Sequence, residues 1–281
     1  MTITDLIIYP VKGLGGIPLA HSTLGVTGLP WDRHWMLVDG AGRFVTQRQL
    51  PALATIATAL SDHSLTLSRA DAPPLVLPLV RDLTELTPVT VWNSQLAAYD
   101  EGAEASLWLT ERLGAFRGAP LRLVRFNRAQ SRPIKAKYLE SGEQAHTEFA
   151  DGFPYLVASR ESLAELNRAL AAKGSTPVGM ERFRANIVVD RLDGPFSELQ
   201  DHRLSGSGFE LGIRKPCERC PVTTVDQTTG QRPDPKEPLA TLMTLNPLAK
   251  KGAFFGGNAV LLAGEGSAIA VGDTLDWRAG R

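Results

Sequence analysis

Short apolar and β-branched runs, each broken by glycine or proline, set the pattern of this chain. They fall at residues 6–9, 35–38, 65–67 and 89–92, then at 121–126, 186–189, 222–225, 259–262 and 268–271. Each has strand length and turn chemistry on both sides, so each predicts a β-strand. Helical periodicity is confined to two stretches. Residues 161–173 place Leu163, Leu166 and Leu170 on one stripe behind Ser159, a natural N-cap. Residues 103–114 offer Trp108, Leu109 and Leu113 as an apolar side. So many short strands must hide their edges, which points to barrel-like sheets with a few packed helices.

Punctuation suggests where the chain divides. The stretch 114–120 (GAFRGAP) reads as a linker, giving two domains at 1–118 and 119–281. Residues 127–147 are polar, with basic patches at Arg128, Arg132, Lys135 and Lys137. They predict a long loop, which reads equally as a functional lid or partner surface and as plain disorder.

Charge changes the picture by exclusion. Thirty basic residues balance thirty acidic ones, so the chain lacks the positive field of a nucleic-acid binder. A hydrophobic share of 43% and a charged share of 21% describe an ordinary soluble globular protein. Residues 1–13 carry an early aspartate and no basic start, unlike a secretory leader. No stretch approaches the ~20 apolar residues that span a bilayer. The expectation is a cytoplasmic protein with no membrane partner.

The two cysteines, Cys217 and Cys220, stand in KPCERCPVTTVD. A structural zinc needs four ligands, and no two of the five histidines stand three to five residues apart to supply a pair. A thioredoxin-type redox pair starts a helix, but here Pro221 and the β-branched run after it favour a strand. Two inert buried thiols are the simplest reading, yet Lys215, Arg219 and a Thr-Thr pair are poor company for apolar filler. A thiolate beside cations is a good soft-metal ligand, and one suffices if an organic chelator supplies the rest.

The segment KPCERCPVTTVDQTTG resembles the signature of MOSC-domain molybdenum proteins, of the bacterial YcbX and mitochondrial amidoxime-reducing component type. LIIYPVKGLGGIP, DRHWMLVD, VTQRQLPALATI, FADGFPYLVASRESLAELN, RFRANIVVD, EPLATL and FFGGNAVLL resemble further blocks of the family, in order. The resemblance implies a β-rich α+β fold: an N-terminal MOSC-associated β-barrel-like domain packed on a MOSC β-barrel domain. It implies a molybdenum–molybdopterin cofactor with Cys220 as the metal ligand and Cys217 off the metal. Cofactor contacts would come from Lys12, Gly13, Arg33, Asp151, Gly152, Arg184, Asn186, Thr223, Thr224 and Asn258. Asp226 is a candidate proton relay or, equally, a turn residue.

Each role has physical sense. Arginine and lysine suit a phosphate. Glycines after Lys12 let backbone N–H groups approach an anion. The implied activity is reduction of small N-hydroxylated compounds. No cysteines remain for an iron–sulfur cluster, so electrons are expected from a separate ferredoxin, flavoprotein or cytochrome. Two other functions compete: a cofactor carrier or sulfur-transfer protein, and a structural-zinc or β-barrel interaction module.

Overall fold

The computed structural model describes residues 1–279. β1 (Thr2–Ile8), β2 (Val11–Lys12), β3 (Ile17–Leu19), β4 (His21–Thr23) and β5 (Trp35–Val38) open the chain. β6 (Ala57–Leu60), β7 (Ser64–Arg69), β8 (Ala72–Pro78), β9 (Leu86–Val91) and β10 (Ser94–Asp100) lead to helix α1 (Ala103–Leu113). β11 (Arg122–Arg125), β12 (Tyr155–Ser159), helix α2 (Arg160–Ala172) and β13 (Ile187–Asp190) follow. Then come β14 (His202–Gly206), β15 (Phe209–Glu218), helix α3 (Leu239–Leu245), β16 (Phe254–Ala263), β17 (Ala268–Ala270) and β18 (Asp276–Ala279).

An eight-stranded sheet runs β18-β14-β15-β16-β12-β13-β1-β3. Its strands pair antiparallel except β12 and β13, which are parallel and joined through α2. Parallel neighbours require such a crossover, and the side chain of Ser159 caps α2 by accepting from Ser162 N. Residue alternation covers both faces of this sheet. Val157, Ile187 and Val189 join one core, while Leu156, Ala158 and Val188 join another beneath α2 and α3. A five-stranded sheet, β2-β5-β11-β10-β9, packs with β7, β8 and α1 around Trp35, Leu37, Leu65 and Leu109.

The β-rich α+β class is as expected, but the sheets are not closed barrels: each has two free ends in its strand order. The large sheet curls until Gly272 N and Leu275 N donate to Ile3 O and Met1 O, and β18 then leaves to pair with β14. A division at 118/119 does not coincide with the sheets. β1 and β3 pair into the large sheet, whereas β11 completes the smaller one.

Residues 222–225 form no strand. A 3-10 turn spans Pro221–Thr224, because Pro221 presets its first position and the threonine hydroxyls bond back to the carbonyls of Cys220 and Pro221. The stretch 127–147 has definite structure, with a 3-10 turn at Ala136–Tyr138 and a bridge from Pro133 to His146. Arg132 ties it down by donating to Glu148 O, Ala150 O and Asp151 O.

One buried pair holds the smaller sheet. Glu101 is 1% exposed and accepts from Trp35 Nε1 at 2.6 Å and Arg125 Nε at 2.7 Å. Removing one partner of such a pair leaves the other charge uncompensated, at a cost of about 3–5 kcal/mol. Glu101→Ala is therefore expected to lower unfolding stability by about 3 kcal/mol or more, read from the urea midpoint.

Candidate functional site

The site begins where β1 runs out. Tyr9 and Pro10 lead to Lys12 at the end of β2, and Gly13 turns the chain with φ +90°. Lys12 is buried and donates through Nζ to Phe149 O at 2.7 Å and Asp151 Oδ1 at 2.5 Å. Trp92 Nε1 reaches the same carboxylate oxygen at 3.0 Å. Desolvation by the cleft walls raises the Asp151 carboxyl, but the Lys12 ammonium and the indole N–H overcome it and hold it below the ordinary range. Burial lowers the Lys12 ammonium, and Asp151 opposes the change.

Two arginines share one aromatic face. The guanidinium carbons of Arg33 and Arg184 lie 4.4 and 4.1 Å from the centroid of buried Tyr9. Asp32 accepts from Tyr9 N at 2.8 Å and from Arg33 Nη1 at 2.6 Å. Arg33 also donates to Asn186 Oδ1 and to the carbonyl of Arg184, and Arg184 donates to Leu14 O at 2.7 Å. Both arginines have left-handed backbones, φ +50° and +56°, a conformation costing about 1–3 kcal/mol each at a non-glycine residue. Burial and the neighbouring Arg33 charge lower Arg184 to about 10. The buried Nη2 of Arg184 has no protein partner.

The cysteines arrive on the far end of β15. Cys217 lies within the strand, and Cys220 starts the 3-10 turn two residues after it ends. Arg219 donates through Nη1 to Cys217 Sγ at 2.9 Å and through Nη2 to Phe183 O at 2.7 Å. Its buried Nε, like Arg184 Nη2, is unpartnered. Both thiols are free and half-buried.

These pieces line one cavity of about 140 Å³. Of the residues the resemblance names, Lys12, Gly13, Arg33, Asp151, Gly152, Arg184, Asn186, Cys220 and Asn258 all reach it. Its wall carries five cationic side chains, Lys12, Arg33, Arg48, Arg184 and Arg219, against the single carboxylate of Asp151. The lining is therefore net positive, even with Asp32 paired to Arg33, although the chain is neutral.

Three expected residues stand elsewhere. Thr223 and Thr224 are buried and bond to the turn that presents Cys220, so they shape it rather than line the cavity. Asp226 accepts from Thr228 N, Thr229 N, the Thr229 hydroxyl and Arg182 Nη2, which is the turn role, and it does not line the cavity. Those bonds, led by Thr229, hold its carboxyl below the usual range. Asn186 lines the cavity, but its amide is engaged by Arg33, Leu156 N and Ile7 O, so it positions Arg33. Sequence reading left out Arg48, Tyr9 and Asp32 and named Arg219 only as a cation beside the thiols, not as a cofactor contact. Arg219 was discoverable, since it directly precedes the metal-ligand candidate.

The Lys12–Asp151 pair makes a pH prediction. Because the folded carboxyl is depressed, its contribution to stability is present above the ordinary carboxylate range and is lost as pH falls through the lowered value. Lys12→Met is expected to raise the Asp151 titration midpoint, read by carboxyl-carbon NMR.

Comparison with known proteins gives the family. The MOSC N-terminal beta barrel domain matches residues 1–115, and the MOSC domain matches residues 144–276. Mitochondrial amidoxime-reducing component 1 of Homo sapiens is 32% identical over 259 residues, covering 89% of this chain and 74% of the relative. Mitochondrial amidoxime reducing component 2 of Homo sapiens is 32% identical, over 86% of this chain and 71% of the relative. Molybdenum cofactor sulfurase of Homo sapiens is 28% identical over 82% of this chain, which spans only 27% of that relative. The chain therefore belongs to the MOSC-domain family, with the mitochondrial amidoxime-reducing components among its relatives.

Proposed function

We propose that the protein is a molybdopterin-dependent reductase of N-hydroxylated compounds. One observation carries the reading: a free thiol, Cys220, shares a cavity with two arginines, each holding a buried N–H without a protein partner. Such orphaned donors are costly unless a ligand satisfies them. A phosphorylated pterin dithiolene fits that donor set. Arg184, Arg219 and Arg33 would hold the phosphate, with Gly13 and Gly152 leaving backbone room, and Cys220 would supply a sulfur ligand to the metal. Cys217 Sγ is already engaged by Arg219. Asn258 and Asp151 would meet the remaining polar edge.

Bound there, molybdenum and its dithiolene would supply the electron pair and oxygen acceptance that cleave an N–O bond. The overall change is balanced: an amidoxime plus two electrons and two protons gives an amidine plus water. A separate electron-transfer protein would deliver the electrons. The names of the amidoxime-reducing relatives support this reading at 32% identity. A carrier role is the second reading, supported by the similarity to the cofactor sulfurase. A structural zinc lacks support, since among the described residues no three His, Cys, Asp or Glu side chains cluster at metal-binding spacing.

Protein from a host that makes molybdopterin is expected to contain molybdenum and pterin, and protein from a host that cannot make it is expected to contain neither. Cys220→Ala is expected to abolish benzamidoxime reduction, while Cys217→Ala keeps a substantial part. Arg184→Ala is expected to lower molybdenum content, measured by elemental analysis. Cofactor without turnover under any reductant would favour the carrier.

A further inference from the structure

A second cavity of about 440 Å³ adjoins the first, sharing Asp151, Gly152, Phe153, Cys217 and Asn258 as a common wall. Its outer wall is the stretch 127–147, through Arg132, Pro133, Ile134, Lys135 and Tyr138. Aromatic side chains face it: Tyr138 and Phe153 have ring centroids 5.7 Å apart, and Trp92 lies on the rim.

The charges of this chamber do not cancel. It has two carboxylates, and each is claimed by a cation from outside the chamber. Asp151 pairs with Lys12 at 2.5 Å, and Glu218 with Lys250 at 3.6 Å. Three lining cations remain: Arg132, Lys135 and Lys215. Arg132 bonds only to carbonyls and to Ser94 Oγ. Among the described residues, Lys135 and Lys215 have no carboxylate within 4.0 Å. Lys215 is half-buried, with Nζ 5.0 Å from the Tyr138 ring centroid, and Lys137 approaches the same ring at 4.9 Å. Slight burial raises the Tyr138 phenol, yet Lys215 and Lys137 pull it below its ordinary value, as a positive field should.

Resting on the reductase reading, we propose that this chamber is the substrate subsite and selects by charge. It holds flat neutral or anionic N-hydroxylated molecules against the aromatic surface of Tyr138 and Phe153 and disfavours cations. The chemistry gives that selection a purpose. Amidoximes and hydroxylamines are neutral at pH 7, whereas the amidines and amines they yield are strong bases and carry a proton. Reduction therefore converts a molecule the chamber accepts into one it repels, which favours product release.

Calorimetric binding of benzoate and benzamidine to the cofactor-loaded protein tests this, because the cations around Cys220 are then covered. Benzoate is expected to bind roughly tenfold tighter than benzamidine, with the preference shrinking at high salt. Lys215→Gln and Lys135→Gln are each expected to reduce the preference, and Lys215→Glu to abolish or reverse it. Lys135 is exposed on the loop, so its variant tests the idea even if the Lys215 variants do not fold. Equal affinities, or a preference indifferent to both lysines, would overturn the proposal. Neither measurement needs turnover. A loaded protein that keeps the preference but reduces no amidoxime upholds charge selection and overturns the reductase reading.

Discussion

Two guanidinium groups, Arg33 and Arg184, are held against one tyrosine ring, and the protein must keep these like charges together. Their mutual repulsion is visible in Arg184, whose proton affinity falls under burial and the Arg33 charge. Asp32 balances one of them, the π-face of Tyr9 attracts both, and main-chain carbonyls take up further N–H groups. One Arg184 donor is left over. The left-handed backbones of both residues belong to the same constraint, because strained conformations persist only where surrounding structure over-determines them. The cavity thus keeps cationic groups and an unpartnered N–H on its wall.

That arrangement depends on how the sheets meet. Asn186, just ahead of β13, reaches across to β1 through Ile7 O and to Leu156 N on β12, while also receiving Arg33. Antiparallel pairing of β15 with β16 then brings the cysteine segment opposite Asn258. Residues separated by more than 200 positions, such as Lys12 and Cys220, come to line one wall. The loop 127–147 adds the adjoining chamber, held against that wall by the buried guanidinium of Arg132.

Much of the fold was legible because its strands are short apolar runs with firm punctuation. β5 at Trp35–Val38 is such a run, and α2 with its serine cap is the helical counterpart. Other elements were hidden. β15 (FELGIRKPCE) mixes glycine, proline and charge, and its bulged register against β16 is set by pairing rather than by local preference. α3 (LATLMTL) is too short for its periodicity to stand out. The run after Cys220 misled because β-branching argued for a strand, while the proline and the threonine back-bonds decided for a turn.

By itself the sequence determined the β-rich class, the capped helix and the chemistry available: two thiols, with cations spread through glycine-rich turns, and a family signature joining them. Only the tertiary structure decided which cations share a cavity, that Thr223, Thr224 and Asp226 build a turn instead of lining the site, and that Lys135 and Lys215 lack carboxylate partners among the described residues. The reason is physical. Residue type limits what a side chain can do, but charge compensation and exposed donors depend on which distant groups the packed sheets bring within a few ångströms.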